Sequence, residues 1–251
     1  MDVHAPHHPL HTWKDFWIHL GTITAGLLIA ISLEQSVEEL HHLHQRHQLE
    51  EDLHAEAVRN IKAMDGDYRY IDAWMAYLTA LRSDVDTMRA SGGKTKLPFR
   101  PFVNPNGSIA LTRPSSSSWT TAQESALVAL LPREEAKFYD RVYLELQYYD
   151  NAYNVRNEVI NEVNFFEGRF APVTLAPIKP DLSLMSVEQL EQFSALLAKN
   201  LVVNRYLRSR LQFFYAAETE VASGHMTEDD ILNYLAKLPV PTDQPAPPPA
   251  H

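Results

Sequence analysis

The sequence predicts an all-helical protein: a single N-terminal transmembrane helix that continues into an elongated antiparallel bundle of three long helices plus short ones. Three observations carry this. Phe16 to Leu33 reads FWIHLGTITAGLLIAISL, without an Asp, Glu, Lys or Arg. Apolar residues recur at alternating steps of four and three over long stretches, the period of a bundle helix. Capping signals mark where helices start and stop, notably Ser186 with Gln189 and the Ser223-Gly224 pair.

The chain has 251 residues, 45% of them hydrophobic and 22% charged, which allows one large domain or two small ones with a sizeable core. A net charge of -10 argues against nucleic acid as a partner, because phosphates demand a basic face. There is no cysteine, hence no disulfide, thiolate nucleophile or cysteine metal site. Of twelve histidines, ten fall within the first 54 residues, so any metal chemistry would concentrate there.

Residues 1–12 (MDVHAPHHPLHT) form a His- and Pro-bearing tail without apolar periodicity and are read as disordered. Residues 13–33 form the transmembrane helix, with Trp13 and Trp17 as interface anchors. The uncharged run would be about 27 Å long as a helix, slightly short of a ~30 Å hydrocarbon core. A cleaved signal peptide would need a more basic start than Lys14 alone, and a buried core helix would not be edged by paired tryptophans. Lys14 precedes the run, and Glu34, Glu38 and Glu39 follow it. The positive-inside tendency therefore puts the N-terminus in the cytoplasm of a bacterium and the bulk of the chain in the periplasm, anchored in the inner membrane. Within the run, Thr22, Gly26 and Ala30 share one face and Gly21 and Ala25 its neighbour, a pattern that lets a second helix approach closely in lipid.

Residues 34–238 form the helical domain. Leu33, Val37 and Leu40 extend the small-residue face, and Ala57, Ile61, Met64, Tyr68, Ile71, Met75 and Leu78 make the expected seam, with Gly66 a point of bending or interruption. Between them His47, Glu51 and His54 lie at i, i+4, i+7, a spacing that projects two imidazoles and a carboxylate from one face and suits a transition metal. The bland alternative is a solvated His-rich helix, since one helix gives an incomplete site. The Glu38-His41 and Glu51-His54 spacings do not make a di-iron site, because both lie on one helix.

From 91 to 118 the chain is rich in Gly, Pro, Ser and Asn, a long loop with a short extended piece at Ser108 to Thr112. SGGKTK within it lacks the first glycine of a phosphate loop. A helix follows from Trp119 to Leu131, with Thr121 and Glu124 at capping-box spacing. Arg133 to Gly168 is the second long helix, with Tyr139, Val142, Leu146, Tyr149, Tyr153, Ile160 and Val163 as its seam and its tyrosine hydroxyls reaching water. After a Pro-broken linker at 171–181, the third long helix buries Leu190, Phe193, Leu197, Leu201, Leu207, Leu211 and Phe214. Thr227 caps a short helix to Leu238, and residues 239–251 form a Pro-rich disordered tail.

The segments GLLIAISLEQSVEEL and SSSSWTTAQESALVALLPREEAKFYDRVY give the chain a layout that resembles a family of bacterial single-pass membrane proteins without an established activity. The resemblance covers residues 16–165. It implies the anchor and the helices that follow it, and no catalysis; the histidines and the acidic flank depart from the family's basic, Asn-rich pattern.

There is no nucleophile elbow, dinucleotide fingerprint, zinc-protease helix or EF-hand loop. The expectation is a non-enzymatic membrane protein without a cofactor, an accessory or interaction subunit of a membrane assembly or a homo-oligomer. A periplasmic ligand- or pH-sensing domain and a metal protein using His47, Glu51 and His54 are the alternatives.

Overall fold

A computed structural model describes residues 13–97, 100–107, 111–170 and 180–224, with Asn233 and Ala236. The expected tails at 1–12 and 239–251, most of the linker, most of the extended piece at Ser108 and all but two residues of the Thr227 helix lie outside these. The described chain is helical: α1 Trp13–Ala90, α2 Ser117–Glu124, α3 Arg133–Gly168 and α4 Val187–Ser223, with 3-10 turns at Leu127–Leu130 and Leu182–Leu184. Among the described residues there is no strand. The chain divides into two compact units between Glu50 and Glu51.

In the first unit α1 is exposed at every residue from Trp13 to His44. Trp13, Phe16 and Trp17 form an aromatic cluster at its start, with ring centroids 5.4 to 6.1 Å apart. Arg46 pairs with Glu50 at 2.7 Å one turn on.

In the second unit the buried face of α1 follows Leu53, Ala57, Asn60, Met64, Asp67, Ile71, Leu78, Leu81, Val85 and Met88. With half-buried Trp74 between Ile71 and Leu78, the steps alternate four and three without a break. Four of the expected seam residues, Ala57, Met64, Ile71 and Leu78, lie on this face. Ile61, Tyr68 and Met75 are only half-buried, because Asn60, Asp67 and Trp74 occupy the alternate positions. Gly66 does not end the helix; its carbonyl accepts a hydrogen bond from Asn106 Nδ2 at 2.7 Å.

Cross-helix contacts set the directions. Along α1, Asn60, Asp72 and Arg82 meet Glu218, Arg208 and Ser194 in turn, so α4 runs antiparallel to α1. Lys199–Glu162 and Arg156–Asn204 show the same for α4 and α3. Glu56, Asp67 and Tyr70 instead meet Tyr143, Tyr149 and Arg156 in rising order, so α3 runs parallel to α1. Both α1 and α3 thus run antiparallel to α4, as expected, and parallel to each other.

This topology explains the long loop. A parallel neighbour requires the chain to return along the bundle before the next helix begins. The described residues between 91 and 116 lie as a strap on α1: Phe102 packs on Tyr70, Trp74 and Tyr77, Asn106 reaches Gly66, and Ser115 reaches Asn60.

The helix expected over Trp119 to Leu131 is shorter. It starts at Ser117 and ends at Glu124, where Ala126 takes a left-handed φ of 59° before the 3-10 turn. Thr121 and Glu124 therefore sit inside α2 and form no N-terminal box. α3 and α4 keep their expected bounds, and all seven named apolar residues of α4 are buried; on α3 Tyr139, Val142, Leu146, Tyr149 and Val163 are buried, whereas Tyr153 and Ile160 are half-buried because Ala152, Arg156 and Val159 take the inward positions. Ser186 and Gln189 form the reciprocal capping box, and Gly224 closes the helix at φ 73°. Replacing Ser186 with Ala should cost ~1 kcal/mol of unfolding free energy, as loss of an N-cap usually does; urea unfolding followed by helical circular dichroism measures it. One end of the bundle is apolar, packing Leu78, Leu81, Val85 and Met88 against Phe166, Leu190, Phe193 and Leu197. The other end is where polar residues enter the seam.

Candidate functional site

Glu56 and Asn60 face α3, α4 and the strap from one turn of α1. Glu56 is fully buried. Its Oε2 accepts hydrogen bonds from Ser115 Oγ, Ser117 Oγ, Ser118 N and Ser118 Oγ at 2.8 to 3.1 Å, and its Oε1 accepts one from Tyr143 OH at 2.7 Å. Burial pushes its pKa up, but these donors together outweigh burial and hold the carboxyl below its ordinary range. Asn60 Nδ2 donates to Ser115 O and to Glu218 Oε1, while Ser115 N donates back to Asn60 Oδ1.

Glu218, on α4, is 3% exposed and has that one donor. Burial raises its pKa to about 8, Asn60 offsets little of this, and the negative charge of Glu56 adds to it. Two carboxyls in one cluster are thereby driven apart, Glu56 ionised and Glu218 holding its proton near neutrality.

Two turns further along α1, Asp67 Oδ1 accepts from Thr112 N and Oγ1, and its Oδ2 accepts from Tyr149 OH. Burial outweighs these bonds and the nearby Arg156 cation, leaving its pKa raised. Arg156 Nε donates to Asn204 Oδ1, and Asn204 Nδ2 to Asn200 Oδ1, in a polar layer across the bundle. The hydroxyls of Tyr143 and Tyr149 thus serve buried carboxylates and do not reach water. These carboxylates are engaged by the strap and by tyrosines, an arrangement that fastens the crossover connection to the helices.

Of the residues singled out from sequence, Trp13 and Trp17 join the aromatic cluster at the start of α1. Gly21, Thr22, Ala25, Gly26 and Ala30 are all exposed, and nothing approaches within 4 Å of where a Cβ on Gly21 or Gly26 would lie. Thr22 Oγ1 bonds back to Ile18 O at 2.9 Å. His54 Nε2 lies 3.1 Å from Ala222 O. Among the described residues no group of three or more His, Asp or Glu side chains is placed to hold a metal ion, and His47, Glu51 and His54 do not form one. α1 is the one described helix with a segment long and apolar enough to cross a membrane, and that segment is not buried at all within the chain. It is therefore not a core helix of this fold.

The polar cluster was not among the residues selected from sequence. Its one signal is that Asn60 and Asp67 keep the four-three register of Leu53, Ala57, Met64 and Ile71. No family model matches the chain, and neither a curated protein nor a solved structure is similar to it.

Proposed function

We propose that the protein is a non-enzymatic, membrane-anchored helical subunit, held by residues 13–33 in a bacterial inner membrane with its N-terminus cytoplasmic and its bundle periplasmic. One observation carries the reading: a run without Asp, Glu, Lys or Arg whose large apolar side chains, Ile18, Leu20, Ile23, Leu27, Leu28, Ile29 and Ile31 among them, are exposed. Each Leu or Ile left in water forgoes ~1.5–3 kcal/mol, so a run of seven needs a covering medium, and lipid is the one its length and aromatic edge suit. The interaction role rests on the small-residue face and on a polar cluster occupied with holding the fold together.

The test is membrane retention under an alkaline carbonate wash. The full chain should stay in the pellet, and Leu27→Arg, at ~2.5–3.5 kcal/mol for a mid-helix cation, should shift a large fraction to the supernatant. Release of the unaltered chain, or an N-terminus found after Ser32, would remove the anchor. Because the chain has no cysteine, a single Ser183→Cys variant labelled by an impermeant maleimide from the periplasmic side reports the orientation. A pH-sensing role is the second reading, favoured by the buried Glu218 beside Glu56.

A further inference from the structure

We propose that the first unit of α1 pairs with the same stretch of a second copy as a parallel two-stranded coiled coil, through a stripe of Gly26, Ala30, Leu33, Val37, Leu40 and His44. The proposal rests on the membrane-anchored reading, which fixes the direction of pairing: two chains entering one bilayer from the same side lie parallel.

The stripe continues past the end of the apolar run. Val37 and Leu40 follow Leu33, the last residue of the run, at steps of four and three; they are 61% and 67% exposed, in a stretch that also carries Glu34, Glu38 and Glu39. Lipid covers residues inside the span, but it does not explain an apolar seam set among carboxylates beyond it. With Ala30, Val37 and His44 at a positions and Gly26, Leu33 and Leu40 at d positions, the small residues let the backbones approach in lipid and the larger ones interlock in water.

Two features select a second copy over another occupant. A β-branched residue at a with leucines at d favours two strands. Charge points the same way. Glu38 and Glu39 fall at the outward b and c positions, and Glu50 is neutralised by its own Arg46. In a parallel pair, Glu34 at e then faces Ile29 at g of the partner copy, and Ser36 at g faces His41 at e. No like charges are opposed. A basic partner helix would instead call for carboxylates along e and g. His44 at an a position supplies the polar layer that fixes register.

Single cysteines placed along 33–47 test this, because the chain has none of its own. In native membranes treated with a short bis-maleimide, Leu33→Cys, Val37→Cys and Leu40→Cys should give a product of twice the chain's mass several-fold more than Glu38→Cys, Glu39→Cys or His42→Cys. Cross-linking equal at all positions, absent at all of them, or giving a product of another mass overturns the second-copy proposal. Carbonate washing of the same membranes separates the two readings. A chain that stays in the pellet without the periodicity refutes the pairing alone, and a chain released to the supernatant refutes the anchor. In mild detergent, Leu40→Glu should convert a dimer measured by light scattering to a monomer, and an unchanged mass counts against the pairing.

Discussion

Glu56→Ala should lower the unfolding free energy by about 3–5 kcal/mol, the range for breaking a buried charged group's bonds. The size follows from what the substitution strands. Tyr143 OH and Ser118 N lose their acceptor in a closed site, at roughly 1–3 kcal/mol each, and the removed side chain leaves a void. The serine hydroxyls lie nearer the surface and regain water. Glu56→Gln keeps an acceptor oxygen and should cost about half as much, within the ordinary range for polar substitutions. Urea unfolding of the full chain in mild detergent compares the three proteins. A loss below about 1 kcal/mol for the alanine variant would mean that the cluster does not fasten the strap.

The second large effect is on pH. Glu218 has a folded pKa of about 8 against an ordinary 4.5. Between those values the folded chain holds a proton that the unfolded chain releases, so stability is full below pH 4.5 and is lost as pH rises towards 8. The slope approaches ~1.4 kcal/mol per pH unit for one proton. Glu167, which burial raises to about 7, acts in the same direction. Glu56 acts oppositely: its pKa is lowered, so its contribution is present above 4.5 and is lost as pH falls through its folded value. Together they place maximum stability on the acid side, close to pH 4.5. Glu218→Gln should flatten the fall between pH 5 and 8 and make the variant more stable than the natural chain at pH 8. Melting temperatures of both proteins across pH 4 to 9 decide this, and parallel curves would rule out Glu218 as the group responsible.

The helices were legible in the sequence because their signals are local. The Ser186–Gln189 box, the glycine at 224 and the leucine period of α4 all act within a few residues, and α3 begins and ends where expected. The seam of α1 was legible at every second position only. Ranking by apolarity selects Ile61, Tyr68 and Met75, but burial goes to Asn60 and Asp67, with half-buried Trp74 keeping their register. Asn60 and Asp67 tolerate it because hydrogen-bond partners arrive from the strap, 45 and 55 residues along the chain. The same distance hid the role of Ser115, Ser117 and Ser118, which bind Glu56. The direction of α3 was hidden too, since a long polar loop does not reveal whether it turns or returns.

Asn60 and Glu218 meet across 158 residues. At ~5–20 residues per second, about 10–30 s of synthesis separates them. For that interval α1 is complete while its α4 partner does not yet exist, and a purely apolar seam would be free to find something else to cover it. Glu56, Asn60 and Asp67 make the waiting face a poor match for any surface that cannot satisfy them. The residues that fasten the finished bundle are thus already in place on α1 before α4 is made.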